Sequence, residues 1–158
     1  MCSSDHGSDD GAAVTSNIVT IGNTAPSITG VSISPTAPLV SDTLTCSTTG
    51  SSDADGDAEQ TTYAWSVNGT AVGTGSTLSG AFAVGDTVTC TATPFDGTDS
   101  GAPMSVDVDV ANALPVLASV TLTPLTPSEG DTLTCTPGTT TDADGDAVTF
   151  TYAWYVNA

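Results

Sequence analysis

The sequence contains no lysine and no arginine, although 18 of its 158 residues are acidic. The formal charge is therefore −18, and His6 is the only side chain that can become cationic. Proteins that bind nucleic acids need a basic face for the phosphates, and this chain has none. An anionic membrane surface would repel the chain, and phosphoryl-transfer enzymes place Lys or Arg on the phosphate. The composition therefore excludes a nucleic-acid partner and argues against phosphoryl transfer.

Long apolar runs and helical patterns are also missing. No stretch approaches the roughly 18 apolar residues of a membrane-spanning helix, and no segment repeats apolar residues at the helical period of 3.6. The hydrophobic fraction of 38% is too high for a disordered acidic segment. Thr and Val favour strands, whereas Gly, Pro and Asp favour turns. These features predict an all-β protein with no membrane insertion in this segment.

The sequence repeats itself at an offset of 89 residues. Residues 112–158 align without a gap to residues 23–69, and 22 of the 47 aligned pairs are identical. The shared blocks include DTLTC at 42–46, DADGDA at 53–58 and TYAW at 62–65, each of which recurs 89 residues later. Self-similarity at a fixed spacing is typical of tandem structural repeats.

The repeat divides the chain into three parts. Residues 7–12 resemble residues 97–102 at an offset of 90, so we interpret 1–22 as the C-terminal end of a preceding repeat. Residues 23–111 form one complete repeat, and residues 112–158 form the N-terminal half of a following, truncated repeat. This organisation predicts a longer tandem array. The alternative is a short protein with a degenerate second half, which would leave the apolar face of that half uncovered.

Within residues 23–111, apolar and polar side chains alternate in seven segments, as expected of half-buried strands. The last segment is the clearest, because Val106 and Val108 share one face and Asp107 lies on the other. Asn68-Gly69 is a strong signal for a two-residue hairpin turn. The predicted strands lie near 27–34, 42–48, 61–68, 70–73, 76–82, 86–94 and 103–110. Turns every 8–12 residues predict one antiparallel β-sandwich.

Cys46, Trp65 and Cys90 fall on the second, third and sixth predicted strands, all with inward parity. This order resembles that of immunoglobulin domains, in which a disulfide joins the two sheets and the Trp packs against it. The resemblance implies a Cys46–Cys90 disulfide and an oxidising compartment, with Cys2 and Cys135 free. Two reduced, buried thiols remain the alternative.

A family resemblance follows from the order of the motifs N-x-A-P, DTLTC, SDADGD, TYAWSVNG, GDTVTC and PFDGTDSG. This order is similar to that of bacterial immunoglobulin-like repeats, which are related to PKD and cadherin-like modules. The resemblance covers the whole chain. It implies immunoglobulin-like sandwiches in tandem repeats of about 89 residues, in a secreted or cell-surface protein. Neighbouring repeats of the same chain are then the first partners, and calcium often accompanies such modules.

The acidic loop after the second strand carries the one pattern with possible chemistry. Asp53, Asp55 and Asp57 alternate with small residues, and oxygen ligands in a Gly-containing loop are how a chain wraps Ca²⁺. In an immunoglobulin topology this loop, the loop before the last strand and the incoming linker share one end of the sandwich. The candidate metal ligands are therefore Asp53, Asp55, Asp57, Asp96, Asp99 and Asn23, with Asp142, Asp144 and Asp146 in the following repeat. The alternative is that Asp and Gly are simply good turn formers.

Catalysis has little support in the sequence. No serine is paired with a histidine in a recognisable motif, and no Lys or Arg is available to stabilise an oxyanion. We therefore expect a non-catalytic extracellular spacer, stiffened by Ca²⁺ where repeats meet. The alternative is an adhesin module that recognises a glycan or a protein at a host or environmental surface. The assignment of Trp65 and Tyr63 to the core favours the spacer, because it leaves no aromatic platform for sugars.

Overall fold

The computed structural model describes residues 5–6, 9–10 and 16–156. Their only regular secondary structure is β-strand, which confirms the prediction of an all-β protein. No helix long and apolar enough to cross a membrane occurs in this part of the chain. The strands are β1 (Asp5–His6), β2 (Asp9–Asp10), β3 (Gly30–Ser34), β4 (Thr43–Thr49), β5 (Thr62–Val67), β6 (Thr70–Thr74), β7 (Thr77–Ser79), β8 (Thr87–Thr93), β9 (Met104–Asp109), β10 (Val116–Leu117), β11 (Val120–Thr123), β12 (Thr134–Pro137) and β13 (Thr140–Thr141).

Residues 23–111 contain the seven strands β3–β9, one for each strand that the sequence predicts. They form a three-stranded sheet in the order β3-β4-β7 and a four-stranded sheet in the order β6-β5-β8-β9, and every neighbouring pair is antiparallel. The first predicted strand begins later than expected, since Ser27 makes only an isolated bridge to Ser52. The fifth is shorter than expected, because Gly80 turns the chain at a positive φ of 67°.

The core lies between these two sheets, as expected of a β-sandwich. Leu44 and Val88 are fully buried, one from each sheet, while the alternating threonines of β4 point to solvent. Trp65 is 1% exposed, and its Nε1 donates a hydrogen bond to the carbonyl of Gly75 at 2.8 Å. The polar end of the indole therefore has a partner although the ring is buried.

The Cys46–Cys90 disulfide is present and joins β4 to β8, and so links the two sheets. This confirms the pairing that the resemblance implied. Cys135 is a free thiol, as predicted. Cys2, also predicted to be free, lies outside the described residues.

The hairpin between β5 and β6 turns at Asn68-Gly69, as the sequence predicts. Both residues have positive φ, 49° and 78°, which is the conformation of a type I′ turn. The Asn68 side chain also donates to Asp86 at 2.7 Å and accepts from the Thr87 N–H at 3.1 Å. The turn is thereby tied to the beginning of β8.

Residues 112–156 form two pairs of short strands, β10 with β13 and β11 with β12. The register of the second pair repeats that of β3 and β4, because Thr121 faces Thr136 as Ser32 faces Ser47. Residues 151–156 form no strand, although their TYAW sequence is identical to the start of β5. In residues 23–111 the β5 strand is paired on both sides, by β6 and β8. Those two strands have no counterpart within residues 112–156.

Candidate functional site

The acidic loop between β4 and β5 is organised by Asp53. One carboxylate oxygen, Oδ1, accepts hydrogen bonds from the N–H groups of Asp55 at 2.8 Å and Asp57 at 3.2 Å. Gly56 allows this tight loop by adopting a φ of 78°. The other oxygen, Oδ2, is buried and has no partner within the described residues. The loop therefore holds its first carboxylate inward and leaves one acceptor unused.

The linker before β3 is hydrogen-bonded to two acidic loops at once. The side-chain nitrogen of Asn23, Nδ2, donates to Asp96 Oδ2 at 2.8 Å and to Asp99 Oδ2 at 3.0 Å. The next backbone N–H, of Thr24, donates to Asp55 Oδ2 at 2.6 Å. The structure thus brings Asn23 together with Asp96 and Asp99, as the sequence predicts, while the linker backbone makes the connection to Asp55.

Asp96 is the most enclosed carboxylate of the site, with 9% of its surface exposed. Its Oδ1 accepts from the N–H groups of Thr98 and Asp99, both at 2.7 Å. The hydrogen bond from Asn23, and after it the one from the Asp99 N–H, hold the pKa of Asp96 below its usual value, against the opposing effect of burial. Donated hydrogen bonds favour the ionised form, so this carboxylate stays charged without a cationic neighbour.

Backbone contacts hold the two loops side by side. The N–H of Gln60, just after the first acidic loop, donates to the Phe95 carbonyl at 2.6 Å, and Gly101 closes the second loop by donating to the Pro94 carbonyl at 2.9 Å. Gly101 also packs so closely on the linker that a Cβ there would overlap the carbonyl oxygen of Pro26. The linker is therefore pressed against the loop that carries Asp96.

The same contacts recur 89 residues later. Asp142 Oδ1 accepts from the N–H groups of Asp144 at 3.0 Å and Asp146 at 3.1 Å. The N–H of Ala113 donates to Asp144 Oδ2, just as that of Thr24 donates to Asp55. Asp144 Oδ1 is buried without a partner in the described residues. Counterparts of Asp96 and Asp99 do not occur within residues 112–156.

The linker and the first acidic loop border a groove at this end of the sandwich. An open groove is lined by Ile21, Gly22 and Asn23 of the linker and by Asp55 and Asp57 of the loop. Across the described ranges, no three His, Cys, Asp or Glu side chains form a cluster that could hold a metal ion. The carboxylates near the linker instead accept from N–H donors, and calcium ligation by the predicted residues stays a prediction.

Sequence reasoning missed two contributors to this site, Thr24 and Gln60. Both act through the backbone N–H, which every residue except proline possesses, so neither leaves a signal in the sequence. Ala113 occupies the position equivalent to Thr24 and makes the same bond, which shows that the side chain there is unimportant.

A search with family models, curated proteins and solved structures found no significant match to this chain.

Proposed function

We propose that this chain is a non-catalytic spacer segment of a bacterial secreted or cell-surface protein, made of tandem immunoglobulin-like repeats. The observation that carries the proposal is the linker at Asn23 and Thr24, which is hydrogen-bonded to both acidic loops. A linker held at several points cannot rotate freely. A stalk requires this restriction, because its repeats must stay in line. The repeated bond between Ala113 and Asp144 supports the same arrangement at the next junction.

The immunoglobulin-like topology is supported by the order of the strands. Sheets ordered β3-β4-β7 and β6-β5-β8-β9 correspond to strands A-B-E and C′-C-F-G of an immunoglobulin-type sandwich. The disulfide then joins strands B and F, and Trp65 on strand C packs in the same core. A disulfide also favours an oxidising compartment, such as the cell exterior.

Calcium is the cation that we propose for the junction. The groove is lined by Asp55 and Asp57 together with linker residues, and hard oxygen ligands such as carboxylates suit Ca²⁺. The chain has no Lys or Arg to offset its charge of −18, so ions from solvent are needed to neutralise crowded carboxylates. A bound ion would tie the linker to the loop and hold successive repeats in line.

Titration of the chain with Ca²⁺ tests this proposal. We expect millimolar Ca²⁺ to raise the melting temperature of the chain. We also expect it to narrow the range of overall chain dimensions that fits the small-angle X-ray scattering. Asp57→Asn removes one groove carboxylate and should weaken the response, whereas Asp107→Asn removes the same charge from an outward face of β9 and should not. If wild type, Asp57→Asn and Asp107→Asn respond equally, or none responds, the acidic loops are only turns.

A binding module is the second candidate, and one groove favours it. Tyr63 is half-buried and lines an open groove with the hydroxyl-bearing residues Thr62, Thr91 and Thr93. An aromatic ring beside hydroxyl groups suits an uncharged sugar better than an anion. A glycan array probed with wild type and Tyr63→Ala tests it. Binding that Tyr63→Ala abolishes would favour the adhesin, and a blank array would favour the spacer.

A further inference from the structure

Asn68 is the only asparagine of the chain that is followed by glycine. Ile, Thr or Ala follows the other four, which are Asn17, Asn23, Asn112 and Asn157. Because glycine has no side chain, the backbone nitrogen after Asn68 can approach the asparagine side chain closely. Asn68-Gly69 is therefore the dipeptide of this chain that is best suited to close an imide ring between side chain and backbone.

The structure places this dipeptide at the tip of the β5–β6 hairpin. Both residues are exposed to solvent, and a Cβ added to Gly69 would meet nothing within 4 Å. The N–H of Gly69 donates no backbone hydrogen bond within the described residues. The nitrogen that would attack the side chain is thus accessible to the hydroxide that removes its proton.

The Asn68 side chain, in contrast, is held at both of its polar atoms. Its Nδ2 donates to Asp86 Oδ1 at 2.7 Å, and its Oδ1 accepts from the Thr87 N–H at 3.1 Å. The backbone N–H of Asn68 also donates to the Thr87 carbonyl at 2.9 Å. Closure of the ring requires Cγ of Asn68 to turn towards the nitrogen of Gly69. These bonds direct the amide towards the beginning of β8 instead, so the hairpin tip must open locally before the ring can close.

We propose that Asn68 is a deamidation site whose rate is set by its hydrogen bonds to Asp86 and Thr87. The backbone nitrogen of Gly69 forms a bond to Cγ of Asn68, the Cγ–Nδ2 bond breaks, and ammonia leaves with the proton of the Gly69 N–H. Water then opens the cyclic imide at either carbonyl and leaves aspartate or isoaspartate at position 68. The reaction consumes only water, so it does not depend on the role of the chain as a spacer.

The product reverses the contact that held the side chain. Aspartate at position 68 places a carboxylate oxygen where Nδ2 now donates to Asp86 at 2.7 Å. Hydrogen bonds from the Ala83 N–H and then from Asn68 hold the pKa of Asp86 below its usual value, and deamidation replaces the second bond with repulsion. The chain has no Lys or Arg to offset the new charge. Isoaspartate also adds a methylene to the backbone of a two-residue turn. Either product therefore loosens the attachment of the turn to β8.

Prolonged incubation of the full chain at mildly alkaline pH, followed by chymotryptic peptide mapping and mass spectrometry, tests the proposal. We expect conversion of amide to acid at Asn68 and none at Asn23 or Asn112 in the same time. Unfolding in guanidinium chloride should speed the conversion at Asn68 at least about tenfold, because no contact then holds its side chain. Equal rates at the three asparagines of the unfolded chain, or no conversion there, would overturn the site. Equal rates at Asn68 in the folded and unfolded chain would overturn the control by hydrogen bonds.

Asp86→Ala tests the hydrogen bond from Asn68 directly, and it should speed deamidation of the folded chain at least about threefold. Asp42→Ala is the matched control. Asp42 accepts from the N–H three residues before it at 2.9 Å, as Asp86 does at 2.8 Å, but it has no hydrogen bond to Asn68 within the described residues. Its loss should change the rate by less than about twofold. Equal acceleration by the two variants would mean that general loosening of the fold sets the rate, and would overturn the proposal.

Thermal unfolding measures the consequence of the reaction. Asn68→Asp reproduces the aspartate product and should lower the melting temperature of residues 23–111 by about 4 °C or more at neutral pH. Two facing carboxylates raise each other's pKa in the folded chain, so the loss should diminish as acid protonates the pair. Combining Asn68→Asp with Asp86→Asn restores one donor and one acceptor with their roles exchanged, and should recover most of the loss. A double variant no more stable than Asn68→Asp alone would overturn the proposed effect on the turn.

Discussion

The side-chain amide of Asn23 donates a hydrogen bond to the Asp96 carboxylate at 2.8 Å, across 73 residues of sequence. The same nitrogen donates to Asp99 at 3.0 Å. Two carboxylates are thus held together by a neutral donor, in a chain that has no Lys or Arg to serve instead. The bond also attaches the linker to the loop before β9. Its loss should therefore lower the thermal stability of residues 23–111, which can be measured.

Replacement of Asn23 by Ala should lower the melting temperature of residues 23–111. The change removes both donated hydrogen bonds and leaves the two carboxylates facing each other. We expect a fall of about 4 °C or more, measured by thermal unfolding. Asn112→Ala is the matched control 89 residues later, because within the described residues the Asn112 side chain donates only to the carbonyl of Ala113. Equal effects of the two variants would contradict the bridging role of Asn23.

The contribution of Asp96 should disappear in acid. Its pKa lies below the usual 3.8 in the folded chain. A carboxyl group with a lowered folded pKa stabilises the fold above its unfolded pKa, and this stabilisation is lost as the pH falls through the folded value. The difference in melting temperature between wild type and Asp96→Asn should therefore be constant near neutral pH and shrink below pH 3.8.

Thermal melts of both proteins at a series of pH values measure this difference. Asp107→Asn is the charge-matched control, since Asp107 is exposed on β9 and accepts no hydrogen bond from any side chain or loop in the described residues. Its difference from wild type should not shrink in the same way. If the difference for Asp96→Asn grows on acidification, folding raises the pKa of Asp96 and the predicted direction of the shift is wrong.

Loss of the disulfide should cost residues 23–111 much of their stability. The bond closes 44 residues, and the chain-entropy relation gives about 4 kcal/mol for a loop of that length. The double variant Cys46→Ala and Cys90→Ala should therefore lower the free energy of unfolding in urea by about that amount. Cys135→Ala removes a thiol that is not in a disulfide and should leave this transition unchanged. A fall well under 1 kcal/mol in the double variant would mean that packing alone holds the two sheets together.

Gly101→Ala should detach the linker from the second acidic loop. The new Cβ would overlap backbone atoms of Pro26, which cannot move aside as a flexible side chain can. We expect a loss of at least about 2 kcal/mol of unfolding free energy. Gly69→Ala is the control, because its Cβ meets nothing within 4 Å and only the positive φ is strained, at about 1 kcal/mol. A cost for Gly101→Ala no greater than that of Gly69→Ala would contradict the close contact.

Much of the fold could be predicted from the sequence because the signals were local. Alternation of side chains located all seven strands of residues 23–111, and Asn68-Gly69 specified its turn through two positive φ values. The approach of Asn23 to Asp96 and Asp99 could be predicted because the linker and the loop before the last strand lie at the same end of an immunoglobulin-type sandwich. The placement of Thr24 against Asp55 could not be predicted, because a backbone N–H carries no signature of its partner.

The tetrapeptide TYAW separates what the sequence determined from what the tertiary structure decided. At residues 62–65 it lies in β5, paired on both sides, and Trp65 is 1% exposed. At residues 151–154 the same four residues form no strand, and Trp154 is 53% exposed. The sequence by itself determined the alternation, the turns and the charge of the chain. Only partner strands supply the hydrogen bonds and the opposing apolar surface that make such a segment a buried strand.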